Sequence, residues 1–256
     1  MSYIDWSKVS LDSEIEYSKA LGSTPIKHSN FIHMYSSTVP WSGDFNRAVG
    51  VQVTDFQSFE AITLEVEDIH KQKGLEKPSR YDLISPEVDN SVWGDHLQSK
   101  GYRSSTAIFF NAPPKLYDLP FGFSLSMPSQ DDYMDWFHQL VQSRGYYEKA
   151  WFQKIKPIQI NFAKVFKPYW LLKEGDLVGW VYCANLGSYA RLFEVEIQTS
   201  YRGKGMGKLL LQAIRMEGHK MGVEFILLQA SEGLRRFYEN SGFSECSRNS
   251  IIWLNE

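Results

Sequence analysis

Three glycines within five residues, Gly203, Gly205 and Gly207, stand between a strand pattern and a helix pattern, and this junction constrains the fold more than any other feature. Before it, Leu192–Ile197 reads as a strand; from it, Arg202–Lys220 reads as an amphipathic helix with Met206, Leu209, Leu210, Ala213 and Ile214 on one face and Gly222 closing it. Glycine lets the backbone take positive φ and lets a ligand approach the main chain closely. The start of a helix offers unpaired N–H groups and the positive end of its dipole. Arg202, Lys204 and Lys208 add formal charge, so the turn is suited to an anion such as a phosphate.

Spacing narrows the ligand. A G-x-G-x-x-G dinucleotide turn fails, because its third glycine would fall on Lys208 or Leu210. A Walker loop fails as well, since Gly207-Lys208 is followed by Leu209. The pattern that fits is R-x-x-G-x-G, as Arg202-Gly-Lys-Gly205-Met-Gly207. By itself this could also be no more than a sharp strand-to-helix turn.

The rest of the chain alternates between periods near two and near 3.6. In the first half, Ala48–Val53 reads as a strand and Asp55–Gln72 as a helix with Phe56, Phe59, Ile62, Val66 and Ile69 at helical spacing. Tyr81–Ile84 is a strand, a helix ends near Lys100 with Gly101 as its cap, and Tyr102–Phe110 is a strand. Prolines 113, 114, 120 and 128 mark a linker at residues 113–128 between a domain at 1–112 and a second at 129–256. The second half holds a helix at 131–144, then Tyr146, Tyr147, Trp151 and Phe152, which either wall a pocket or pack. Strands at Tyr169–Lys173 and Leu177–Ala184 are joined by a Glu174-Gly175-Asp176 hairpin. A strand at Phe225–Leu228, a helix at Glu232–Asn240 with Gly242 beyond it, and a strand at Ile251–Leu254 complete the order. The fold class expected is mixed α/β, an α+β arrangement with antiparallel hairpins.

After the strand at Phe225 comes Leu234-Arg-Arg-Phe-Tyr238-Glu-Asn-Ser-Gly242-Phe243. With the glycine turn about thirty residues earlier, the second half resembles the GNAT superfamily of acyl-CoA-dependent N-acetyltransferases. The resemblance covers about half the chain. It implies a GNAT-like fold there, acetyl-CoA as cosubstrate, no metal, and direct transfer of an acyl group to a primary amine. It also implies that the strand before the turn splays from its neighbour and offers backbone groups to the pantetheine arm around Val195, Ile197, Gln198 and Thr199. The segment Arg202, Gly203, Lys204, Gly205, Met206, Gly207 and Lys208 would take the pyrophosphate. Many members have an asparagine after the later strand; this chain has Ala230-Ser231-Glu232-Gly233, which makes Ser231 or Arg235 the candidate substitute.

Tyr238 corresponds to the tyrosine that often protonates the departing thiolate, a phenol of reference pKa about 10 facing a thiol of about 8.5. It could equally be core, as Phe237 beside it is expected to be. Alternation puts Leu192, Glu194, Glu196 and Gln198 on one strand face and Phe193, Val195 and Ile197 on the other. Glu194 and Glu196 are therefore candidate general bases, or else solvated residues of an exposed face.

The first half ends in Trp93…Leu97-Gln-Ser-Lys-Gly101-Tyr102, an echo of the helix, glycine, aromatic and strand that close the second. A degenerate GNAT-like copy is the expectation. Its helix starts at Asp55 without glycines, and Leu97 stands where the second half has Tyr238, so it is read as non-catalytic.

Composition sets the remaining bounds. A net charge of −3 argues against nucleic acid as a partner. Two separated cysteines, and histidines without metal-ligand spacing, argue against structural zinc. The absence of a long apolar run or a signal-like start leads to an expectation of a cytoplasmic protein with no membrane partner. The leading reading is an N-acetyltransferase acting on a small-molecule amine or a protein amino group. A catalytically silent acyl-CoA-binding sensor or interaction module is the alternative, and monomer or homodimer stays open.

Overall fold

The computed structural model describes residues 4–40, 42, 44–75, 80–83, 93–145 and 149–254. They form two compact units: Met1–Phe109 with Ala230–Arg235 and Glu245–Glu256, and Phe110–Gln229 with Arg236–Ser244.

In the first unit, helix α1 (Trp6–Ala20) starts at Asp5, whose carboxylate accepts from the Lys8 N–H at 3.1 Å. Strands β1 (Thr24–Lys27), β2 (Ile32–Tyr35) and β3 (Arg47–Val51) follow as an antiparallel meander. Helix α2 (Phe56–Lys73) crosses to β4 (Arg80–Leu83), which pairs parallel with β3. Helix α3 (Gly94–Ser99) leads to β5 (Tyr102–Ala112), and β11 (Ser244–Leu254) lies antiparallel to β4. The α2 stripe supplies the core: Phe59, Ile62 and Val66 bury against Tyr81, Trp93, Leu97 and Tyr102. Beneath α1 the interior is ionic. The fully buried Arg47 guanidinium bonds Asp82 at 2.7 Å, Glu14 at 3.0 Å and the Ser18 hydroxyl at 3.0 Å.

In the second unit, β6 (Phe123–Ser126) precedes helices α4 (Gln130–Ser143) and α5 (Lys149–Val165). Strands β7 (Lys167–Lys173), β8 (Asp176–Asn185) and β9 (Tyr189–Ile197) continue the antiparallel ladder from β6. The hairpin between β7 and β8 turns on Glu174 (φ 53°) and Gly175 (φ 95°), the paired positive φ values of a tight two-residue loop. Helix α6 (Met206–Met221) then returns the chain to β10 (Phe225–Ser231), parallel to β9, and helix α7 (Arg235–Asn240) follows. Strand β6 lies inside the segment expected to be a linker, and α5 was not expected.

One chain order occurs twice. A strand with a positive-φ bulge, a long helix, a parallel strand, a six-residue helix, a positive-φ glycine and an eleven-residue strand run from β3 to β5 and again from β9 to β11. The bulge residue is Gly50 (φ 65°) in the first case and Glu194 (φ 53°) in the second. The fold is mixed α/β throughout, with the echo read from sequence present as repeated structure. Among the described residues, no helix is long and apolar enough to cross a membrane.

Candidate active site

The site is built on β9. Tyr182 of β8 pairs with Phe193 and Trp180 with Glu196, so Glu194 and Val195 together oppose Val181. This bulge interrupts the strict alternation expected from sequence. Phe193 meets Phe162 of α5, while Glu194 bonds Arg144 at the end of α4, so both face the same helical layer. The extra residue shifts the side-chain phase by one. Gly179 sits opposite Ile197, and a Cβ there would lie 2.5 Å from the Glu196 carbonyl oxygen, so only glycine admits this approach.

On its other edge β9 pairs with β10 over Tyr189–Arg191 and Phe225–Leu227, after which both strands run on, β9 to Ile197 and β10 to Ser231. Carbonyls past this point turn to side chains instead. Leu192 accepts from Arg191 Nη1 at 3.0 Å, and Ile197 from Arg202 Nε at 2.9 Å. Arg191 is buried and also reaches Gln229 Oε1 at 3.4 Å. No motif pointed to it.

The glycine turn follows a short 3-10 turn at Thr199–Tyr201. Gly203 (φ 73°) and Gly205 (φ 78°) are left-handed, so helix α6 begins at Met206 rather than at Arg202 as the periodicity suggested. A Cβ on either of those glycines would meet nothing within 4 Å: they border open space. Gly207 differs. A Cβ there would stand 2.9 Å from Phe237 Cζ, so this glycine serves close packing of the helix start. The cap position of α6 carries no side chain that bonds the first-turn N–H groups, which leaves them for an incoming acceptor. Lys204 Nζ bonds the Ser200 carbonyl at 3.0 Å, and Lys208 is exposed in the first turn of α6. In the first unit the corresponding helix start is satisfied from within. Asp55 and Ser58 form a capping box with the Ser58 N–H at 2.7 Å, a bond that also holds the Asp55 carboxyl below its ordinary range.

Four charged groups gather over the bulge. Arg144 donates to Glu194 Oε1 at 3.2 Å and to Glu196 Oε2 at 2.5 Å, and Arg202 Nη2 donates to Glu196 Oε1 at 3.2 Å. Burial pushes the Glu194 carboxyl above the ordinary carboxylate range, with Arg144 pulling the other way. Trp180, paired with Glu196 in register, packs edge-on against Trp136 of α4 at 4.9 Å between centroids.

Tyr238 is buried on α7, its ring between Phe110 (5.5 Å), Phe237 (5.0 Å) and Phe243 (6.1 Å). Burial pushes its phenol up to about 12, while the charge of Arg191 acts to lower it. Phe237, expected in the core, is instead 36% exposed and lies over Gly207. A 3-10 turn at Glu232–Leu234 precedes α7, so the single helix expected over Glu232–Asn240 is two segments, and Tyr238 rather than Phe237 takes the inward position. Ser231 and Arg235 fall in the first unit, where Arg235 pairs with Glu232 and with Glu245 at 2.5 Å. Val195, Ile197 and Gln198 line the parted stretch of β9 half-buried, and Thr199 is exposed beyond it. Of the aromatic stretch, Phe152 is buried against Phe137; Tyr146, Tyr147 and the Trp151 side chain lie outside the described residues.

A strand parted from its parallel neighbour, running into an open glycine turn at a helix start, has a counterpart among known families. Residues 149–251 match the acetyltransferase (GNAT) domain. This segment is a GNAT domain. It contains β9, the glycine turn and Tyr238, while Arg144 precedes it. Over 77 residues the chain is 32% identical to the [ribosomal protein bS18]-alanine N-acetyltransferase of Haemophilus influenzae, a match covering 29% of this chain and 53%, about half, of that relative. The fold likeness reaches further than the GNAT domain itself. A GCN5-related N-acetyltransferase from Kribbella flavida superposes with a TM-score of 0.65 at 14% identity, over 97% of this chain and 96% of its own. A tandem GNAT protein from the clavulanic acid biosynthesis pathway gives 0.52 at 14% identity, over 87% of this chain and 77% of its own.

Proposed function

We propose that this chain transfers an acetyl group from acetyl-CoA to a primary amine, with Glu194 as general base and Tyr238 as general acid. The observation that carries the reading is the turn itself: two left-handed glycines bordering open space at an uncapped helix start, beside a β9 edge released from its ladder. The donor's pyrophosphate suits the N–H groups of residues 203–208 with Arg202, Lys204 and Lys208, and its arm suits the free edge from Val195 to Thr199.

The donor supplies an activated thioester carbonyl. Glu194, whose burial raises its affinity for a proton, accepts one from the acceptor's ammonium and leaves a nucleophilic amine. The new C–N bond forms as the C–S bond breaks, and the amine's second proton is lost as the amide forms. The Tyr238 hydroxyl donates toward the sulfur, and one proton is released overall. At about 12 the phenol stays protonated across the working range, which an acid requires. Complete transfer to a thiolate of about 8.5 would be uphill by about 5 kcal/mol at 1.36 kcal/mol per unit, so a strong hydrogen bond to the developing anion is the better description. The nearby Arg191 charge reduces that cost.

The first unit has Asp55 bonded into its helix start and buried Leu97 in place of the tyrosine, so we assign it no turnover and one donor site per chain. The acceptor is a small-molecule amine or a protein amino group, the latter in line with the printed name of the Haemophilus relative. The test is thiol release from acetyl-CoA across an amine panel, with calorimetric titration of CoA. One site with amine-dependent release supports the reading. One site without release for any amine would leave a silent binder, and two equivalent sites would remove the assignment of the first unit.

A further inference from the structure

The two carboxylates over the bulge are already neutralised in the free protein, and this bears on what the acceptor must carry. Arg144 bonds both Glu194 and Glu196, and Arg202 adds a second cation on Glu196. Two anions therefore face two cations. A simple ammonium entering here would be a third cation beside two anions, and it would compete with Arg144 for Glu194. Displacing one partner of such a pair without replacing it is costly, because the group left behind loses its charge-assisted bonds. An acceptor that brings its own carboxylate keeps the balance: its ammonium takes Glu194, and its carboxylate takes the planar fork of Arg144, which matches a carboxylate in two-point geometry.

A second observation points the same way. The Trp180 indole N–H is buried, lies on the same sheet face as Glu196 by direct register, and has no hydrogen-bond acceptor among the described residues. Unpaired buried donors are uncommon and call for an acceptor atom. Arg144 uses two of its five N–H groups on the glutamates. What this corner has to spare is donors, which is the complement of a carboxylate. The backbone strain agrees that the position is held for a purpose: Glu194 sits at φ 53°, a left-handed value that a non-glycine residue adopts at a cost.

Resting on the acyl-transfer reading above, we propose that the acceptor is an α-amino acid or a close analogue with a free carboxylate beside its amine, and that Arg144 determines this specificity. The experiment compares the common α-amino acids, each with its carboxamide and its decarboxylated amine, by thiol release from acetyl-CoA in the full chain and in Arg144→Gln. For at least one amino acid, kcat/KM should exceed that of its carboxamide by tenfold or more. Arg144→Gln should bring that ratio to within about threefold, mainly through a raised KM for the acid, with CoA affinity little changed. Carboxamides or plain amines that equal or surpass every acid overturn the proposal while leaving acyl transfer standing. An unchanged ratio in Arg144→Gln overturns the role of that residue. Absence of release with every compound overturns the acyl-transfer reading and this inference with it.

Discussion

Gly207 separates two reasons for a glycine at this turn, and a double-mutant cycle with Phe237 measures which applies. A Cβ at 207 would lie 2.9 Å from Phe237 Cζ and 3.1 Å from Cε2, with Ile197 Cγ1 next at 3.8 Å. Within a helix, alanine is otherwise favoured over glycine by about 1 kcal/mol. Overpacking costs about 1–3 kcal/mol, and the ring of Phe237, partly exposed, can yield toward solvent, so the low end applies. Gly207→Ala is therefore expected to forfeit its helical gain and end near neutral or about 1 kcal/mol less stable. In a Phe237→Ala background the obstruction is gone, and the same change should stabilise by about 1 kcal/mol. Urea unfolding of the four forms should give a coupling of about 1–2 kcal/mol. Additivity within about 0.5 kcal/mol would refute the packing role. Gly205→Ala is the control: it meets no neighbour but demands φ 78°, so its cost of about 1–2 kcal/mol should be indifferent to Phe237. Because that methyl points into open space, CoA affinity by calorimetry should fall tenfold or more.

Three further outcomes are expected. Tyr238→Phe keeps the ring among Phe110, Phe237 and Phe243 but removes the proton, so turnover should drop at least tenfold with CoA affinity unchanged; full activity in steady-state assays rules out the acid role. Because burial raises Glu194, the log kcat/KM profile should steepen by one unit per pH unit below an apparent pKa that lies above the ordinary carboxylate range, and Glu194→Gln should abolish that extra slope; a profile of the same shape in both forms excludes the base assignment. Asp55→Ala breaks the capping box of α2 and should cost about 1 kcal/mol in urea unfolding while leaving CoA stoichiometry at one; a second CoA site appearing would contradict the assignment of the first unit.

The parts of this fold that were legible in the sequence are those written locally. Glycine 203, 205 and 207 announce the turn because their conformations are needed within a few residues of one another, and Gly242 announces the end of α7 for the same reason. Helix α1 was invisible because its buried face carries Ser10, Ser13, Glu14 and Ser18, the last two bonded to Arg47, in place of an apolar stripe. Helix α5 was obscured by Pro157 within it, and β6 by the prolines around it. Arg144 could not be found from any motif: its partners lie 50 and 52 residues away, and only the closure of α4 onto β9 brings them together. The bulge at Glu194 was likewise hidden, since alternation along one strand does not reveal how many residues its neighbour opposes.

The repeated chain order shows how little separates a scaffold from a site. At the first bulge, Gly50 takes its positive φ without strain, and Leu11 fills the space where a side chain would go, its Cδ1 2.9 Å from a Cβ built there. At the second, the same backbone turn is held by a glutamate, which pays about 1–2 kcal/mol for the conformation glycine adopts freely. The helix that follows each bulge differs in the same sense: α2 bonds its own N–H groups through Asp55, whereas α6 leaves them open behind Gly205. In each comparison the first copy takes the more stable choice and the second keeps an unsatisfied or strained one. Stability given up at matched positions, in the copy that also carries Tyr238, is what a binding and catalytic site would require of this fold.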